Sequence, residues 1–66
     1  SRDNARALAA RIEDNEIDDV FLDRVKVDGR LLYRVRVGPL RSVADADAMT
    51  ARLRAIGLRG LAVSVD

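Results

Sequence analysis

The chain contains no cysteine, no histidine and no tryptophan, and only one of its 66 residues is proline. These absences exclude thiol nucleophiles, imidazole bases, disulfides and ordinary zinc sites. No apolar run approaches the length of a transmembrane helix. The carboxylates fall in turns and at helix starts, without the apolar pocket that would raise a catalytic pKa. We therefore expect a binding module with no catalytic residues, no cofactor and no metal, and any catalysis would belong to another domain of a parent protein.

What remains is enough for one small domain, residues 1–66. A chain this short buries only about 60% of the surface that its unfolded state exposes, so its stability is marginal. Most of the apolar residues are Ala, Val and Leu, and the only aromatic residues are Phe21 and Tyr33. The sequence therefore predicts a small aliphatic core.

Charge is balanced overall and uneven along the chain. Basic residues number 3 against 6 acidic residues in 1–19, 6 against 2 in 20–41, and 3 against 3 in 42–66. Eleven of the twelve basic residues are arginines, which suit bidentate binding of carboxylate or phosphate. The middle of the chain is therefore a candidate anion-binding surface, although arginine also commonly solvates an exposed sheet.

Two segments have the apolar spacing of amphipathic helices. Ser1 is a suitable N-cap for the first helix, which we expect to end near Asn15. Ser42 caps the second helix, and Gly57 is its expected left-handed end. The apolar stripes predicted to be buried are Ala5, Leu8, Ala9 and Ile12 in the first helix, and Ala46, Met49, Leu53 and Ile56 in the second.

Between the helices, residues 20–27 and 31–37 read as two strands of a hairpin. Asp28-Gly29 favours a two-residue loop, but that register places Val25 and Val27 beside Arg34 and Arg36. A three-residue loop, residues 27–29, separates apolar from basic residues better, and we predict that register because burial should decide it. One face then holds Phe21, Val25, Leu31, Tyr33, Val35 and Val37, with Asp23 as a misfit. The other face holds Leu22, Arg24, Lys26, Leu32, Arg34 and Arg36.

Residues 61–65 alternate as a final strand, giving the order helix–strand–strand–helix–strand. The second helix repeats the first at an offset of 41 residues, from Ser1 to Ser42, which suggests two β-α-β units. We predict an α+β, ferredoxin-like split β-α-β fold (βαββαβ), with two helices on one face of an antiparallel sheet and the first strand absent from this chain. Three arrangements are possible. Roughly 5–6 further residues precede Ser1, a neighbouring molecule donates the missing strand, or the last strand pairs directly with strand 31–37, which is the third strand of the complete fold. The first of these is the one we expect.

The segment Tyr33-Arg34-Val35-Arg36-Val37-Gly38-Pro39-Leu40, followed by Ser42, Ala46, Leu53 and Gly57-Leu58, resembles a SPOR domain. Leu40 stands where the family usually has Phe. The family's first strand, which contributes a Gln to the binding face, has no counterpart in this sequence. The resemblance implies a periplasmic, septal module that binds peptidoglycan glycan strands stripped of their stem peptides, with no contact to membrane or nucleic acid.

The resemblance and the basic face together predict the binding residues. Removing the stem peptide leaves a free lactyl carboxylate on muramic acid, which arginine and lysine can bind. Leucines on the same face could lie under the sugar rings, and the start of the first helix could bind sugar hydroxyls or a carboxylate. The predicted glycan-binding residues are Ser1, Asp3, Leu22, Arg24, Lys26, Leu32, Arg34 and Arg36.

Two other functions are compatible with the same topology. RNA-recognition domains share it, but they read bases with aromatic residues on an exposed sheet face, whereas the exposed face of strand 31–37 shows only Leu32, Arg34 and Arg36. A ferredoxin-like protein-interaction domain could pair through its sheet, by strand donation or dimerisation. Each predicted residue also has a structural role available: Ser1 as a cap, Asp3 as a helix-dipole partner, and each arginine as a solvated strand residue.

Overall fold

The computed structural model describes all 66 residues, and its five elements follow the predicted order. They are α1 (Arg2–Glu13), β1 (Val20–Val27), β2 (Arg30–Leu40), α2 (Val43–Ala55) and β3 (Ala62–Val65). The α+β class is confirmed, and the arrangement is compatible with the split β-α-β topology.

Capping side chains set the helix ends. Ser1 Oγ accepts a hydrogen bond from the Asn4 amide at 3.2 Å, and Ser42 Oγ accepts one from the Asp45 amide at 3.0 Å. These bonds satisfy amides that have no partner within the helix, and they confirm both predicted N-caps. Gly57, at φ +85°, ends α2 as expected.

The end of α1 differs from the expectation for Asn15. The helix stops at Glu13, and the left-handed residue is Glu16, at φ 63°. Asn15 instead donates its side-chain amide to the Arg11 carbonyl at 2.9 Å. A side-chain bond to one of the last helical carbonyls therefore takes the place of a left-handed asparagine.

The predicted hairpin register is wrong by one residue. Val27 pairs with Arg30 across a two-residue loop in which Asp28 and Gly29 both have positive φ, 50° and 76°. This is the backbone that a type I′ turn requires, and its twist matches that of the strands. Turn chemistry therefore determines the register, and every β1 side chain lies on the opposite face from the one predicted.

The sheet has the order β1-β2-β3. It is mixed, whereas the prediction was an antiparallel sheet. β1 and β2 are antiparallel, whereas β2 and β3 pair in parallel, with Val37 beside Val63 and Leu40 beside Val65. The structure therefore shows the third of the possible arrangements, in which the last strand, β3, pairs directly with β2. A strand before Ser1 stays a prediction.

Gly38-Pro39 does not end β2 as predicted, since β2 continues to Leu40. The register with β3 shifts between Val37 and Leu40. A Cβ on Gly38 would lie 2.6 Å from Ser64 Oγ and 2.7 Å from the Ser64 carbonyl oxygen. Only glycine lets the two strands approach this closely.

The core lies between the two helices and one face of the sheet, as predicted. α1 packs on β1 and β2, and α2 packs on β2 and β3. The buried cluster that joins them consists of Ala5, Ala9, Ile12, Ile17, Val35, Val37, Leu53 and Leu58. No aromatic residue belongs to this cluster, and Tyr33 only packs against its margin. Because both helices cover the same side, the other side of the sheet is left bare.

Candidate functional site

We call the side of the sheet opposite the helices the open face. Its membership follows from the register, because residues paired across two strands point to the same side and alternate with the buried Val35 and Val37. The open face comprises Phe21, Asp23, Val25, Val27, Arg30, Leu32, Arg34, Arg36, Ala62 and Ser64. Three of the predicted glycan-binding residues, Leu32, Arg34 and Arg36, lie on it.

Arg36 is the centre of a polar network that crosses all three strands. Its Nε donates to Asp23 Oδ2 on β1 at 3.1 Å, and its Nη1 donates to Ser64 Oγ on β3 at 3.3 Å. Its guanidinium also lies 4.9 Å from the centre of the Phe21 ring, within the range of a cation–π contact. These contacts fix the guanidinium in place and still leave it with unused N–H donors.

Arg34 is the more exposed of the two arginines beside Asp23. It lies directly across from Asp23, and its Nη2 is 3.8 Å from Asp23 Oδ2. Its side chain is 56% exposed. An exposed pair at this distance contributes little to stability, so Arg34 can turn towards an external anion at small cost.

Apolar side chains border the two arginines. Phe21 and Leu32 are 44% and 46% exposed, and Val27 is also exposed towards the hairpin end. The open face therefore combines a fixed guanidinium, a freer guanidinium and accessible apolar surface. This combination suits a ligand with carboxylates along an otherwise uncharged, partly apolar chain.

The other predicted β1 residues do not join this surface. Leu22, Arg24 and Lys26 lie on the helix side, paired with Val35, Tyr33 and Leu31. The basic face that the sequence predicted, with four cations together, is divided by the one-residue change of register.

The two residues predicted at the helix start lie in the helix layer. Ser1 is engaged as the N-cap of α1, and Asp3 is exposed in the first turn without an ion pair. Their structural roles, a cap and a dipole partner, account for both. Neither lies with Arg34 and Arg36.

Three members of the open-face network were not predicted as site residues: Phe21, Asp23 and Ser64. The signal for the first two was present in the Asp28-Gly29 turn, since the register that it favours places Asp23 opposite Arg34. Ser64 had no such signal, because its contact depends on the parallel pairing of β3.

No group of three or more acidic side chains is placed to hold a metal ion. Neither helix has the length and apolar character of a membrane span.

Comparison with known proteins agrees with this architecture. The family model of the SPOR domain matches residues 1–64. Searches among curated proteins and among solved structures gave no match. The matched region includes both helices and the β2 segment from Tyr33 to Leu40 that carried the sequence resemblance. The chain therefore belongs to the SPOR family, whose domains are peptidoglycan-binding modules of cell division.

Proposed function

We propose that this domain binds denuded glycan strands, that is, peptidoglycan freed of stem peptides, through its open face. The observation that carries the proposal is the placement of Arg34 and Arg36 together on a bare sheet, with Arg36 held by Asp23 and Ser64. A guanidinium that is already ordered loses less side-chain entropy when it binds an anion. Arg36 thus supplies a fixed contact, and Arg34 adjusts to the ligand.

Charge and size both favour a denuded strand. The lactyl group of a denuded muramic acid is a free carboxylate, with which each arginine can make charge-assisted hydrogen bonds. In an intact strand the same group is an amide, which is neutral and carries the bulk of the stem peptide. Selectivity therefore arises from the loss of an ionic partner together with a steric conflict at the sheet.

The apolar part of the open face provides the remaining contacts. Phe21 and Leu32 flank the arginines and are about half exposed. Sugar rings have apolar sides that can lie against such side chains, with burial contributing roughly 25 cal/mol per Å². A repeating glycan meets the face with alternating apolar and anionic groups.

The cellular setting belongs to the same proposal. SPOR domains act on the cell wall. A module that binds denuded strands would bring its parent protein to the periplasmic septum, where strands lose their stem peptides. By resemblance, we propose that the parent is a septal lytic transglycosylase of the rare lipoprotein A type, anchored to the outer membrane. In that parent the domain is a non-catalytic C-terminal module.

RNA binding fits the structure less well. The only aromatic residue on the open face is Phe21, and Arg36 already stands over its ring. RNA-recognition domains need exposed aromatic platforms for successive bases. The net charge of +1 is also far from the strongly basic character of most nucleic-acid-binding domains.

A retention assay tests the proposed function. The domain is mixed with amidase-treated sacculi, untreated sacculi and single-stranded RNA, and the bound fraction is measured. We expect retention on amidase-treated sacculi to exceed that on the other two. Preferential retention on RNA, or equal retention on both kinds of sacculi, would contradict the proposal.

A pair of variants tests whether the open face is responsible for the retention. Arg34→Gln should weaken retention on amidase-treated sacculi about tenfold, the usual order for one lost charge-assisted contact. Arg41→Gln removes the same charge from an exposed residue between β2 and α2, and it should bind like the wild type. Equal affinity of the two variants would show that Arg34 does not contact the glycan.

A further inference from the structure

The helix side of the sheet holds a second basic site, built from residues that the open face does not use. Arg2 and Arg6 of α1, Leu22 and Arg24 of β1, and Tyr33 of β2 line a pocket of about 280 Å³. We call it the arginine pocket. Its lining contains three cations and no anion.

The fold brings these cations together against their mutual repulsion. Arg2 and Arg6 are four residues apart on α1, so they lie on one side of the helix, where like charges are unfavourable by a few tenths of a kcal/mol. Arg24 reaches the same pocket from β1 because the two-residue turn places it opposite Tyr33, on the helix side.

None of the three has a partner within the protein. Both ion pairs of the domain involve Asp23, on the other face of the sheet. Other arginines are engaged: Arg11 donates to the Ile56 carbonyl at 2.9 Å, and Arg52 donates to the Asn15 carbonyl. The hydrogen bonds of the domain include none from Arg2, Arg6 or Arg24. Their donors all remain available to a ligand.

The charge of the pocket selects the class of ligand. One guanidinium suffices for a carboxylate, whereas three guanidiniums around one pocket match an anion with close to two charges and three acceptor oxygens. A phosphate monoester has this charge and this number of oxygens at neutral pH. Arg2 is also the first residue of the 12-residue α1, so the positive end of the helix dipole adds to the same field.

The shape of the pocket indicates what carries the phosphate. Its volume exceeds that of a bare oxyanion, and Leu22 and Tyr33 add an aliphatic side chain and a phenol to its lining. Side chains of these two kinds suit a ring with an apolar side and hydroxyl groups. We propose that the arginine pocket binds a phosphate monoester carried on a sugar ring.

The proposal is tested by titration of the whole domain, with glucose 6-phosphate as the probe and amide chemical shifts as the readout. Glucose and glucuronate are parallel probes, which lack the phosphate or replace it with a monoanionic carboxylate. We expect glucose 6-phosphate to shift amides around the arginine pocket and to bind at least about tenfold more tightly than either relative. Equal binding of glucuronate, or no binding of glucose 6-phosphate, would overturn the proposal.

Matched variants locate the site. Arg24→Gln and Arg6→Gln should each weaken glucose 6-phosphate binding about tenfold, while Lys26→Gln should leave it unchanged. Lys26 lies on the same strand and the same side as Arg24 but does not line the pocket. All three residues are exposed, and the amide spectrum of each variant verifies its fold. An equal loss of glucose 6-phosphate binding in all three variants would show that the ligand responds only to overall positive charge, and it would contradict the proposed site.

The two proposals can fail separately. Arg34→Gln changes the open face, and it should leave glucose 6-phosphate binding unchanged. Arg24→Gln changes the arginine pocket, and it should leave retention on amidase-treated sacculi unchanged. Loss of glucose 6-phosphate binding in Arg34→Gln would place that ligand on the open face and contradict the proposed pocket.

Discussion

Asp23 is the residue whose position best explains the open face. On the predicted register it was an acidic misfit among apolar side chains, but in the structure it lies opposite Arg34 and accepts a hydrogen bond from Arg36. Two cations on neighbouring positions of one strand face would otherwise have no internal counter-charge. Asp23 therefore supplies the negative charge that offsets two arginines placed side by side on β2.

Asp23→Asn should lower the free energy of unfolding by about 1 kcal/mol, since it removes a partly exposed, charge-assisted bond and the counter-charge of Arg34. In a domain of this size that corresponds to a fall in Tm of roughly 4–8 °C. Asp18→Asn is the matched control, because Asp18 is exposed and its side chain makes no bond. Urea unfolding of both variants measures the difference, and equal midpoints would show that the Asp23 network does not stabilise the sheet.

At the scale of elements, local sequence signals were enough to predict the helices, whereas the register of the sheet depends on how the strands pair. Ser1, Ser42 and Gly57 act through neighbours three or four residues away, so their roles could be read from the sequence. The hairpin register could not, because two local criteria conflicted. Segregation of apolar residues favoured a three-residue loop, but the positive φ of Asp28 and Gly29 fits the two-residue loop.

The close contact of β2 with β3 depends on Gly38. Gly38→Ala should destabilise the domain by more than about 2 kcal/mol, because the new Cβ would overlap the Ser64 backbone and φ is +127°. Gly29→Ala is the control, since its φ is also positive but nothing lies within 4 Å of its Cβ position. It should cost only about 1 kcal/mol of backbone strain. Thermal unfolding that ranks Gly29→Ala as equally damaging would contradict the close contact.

At the scale of the whole molecule, the two faces of the sheet divide the basic residues of the hairpin into two groups. Arg34 and Arg36 lie on the predicted side of β2, because the buried Val35 and Val37 fix where they point. The β1 half of the predicted surface was placed on the wrong side, since a one-residue change of register reverses a whole strand. The resulting arginine pocket could not be predicted, because it needs the position of α1 over the hairpin.

The central claim, that denuded glycan binds the open face, is tested most directly by methyl NMR with a soluble denuded glycan fragment. Leu32 on the open face should shift, and Leu22 and Leu31 on the helix side should not. All three side chains are between 40% and 51% exposed, so accessibility alone does not favour one of them. Shifts confined to Leu22 and Leu31, with Leu32 unchanged, would contradict the account.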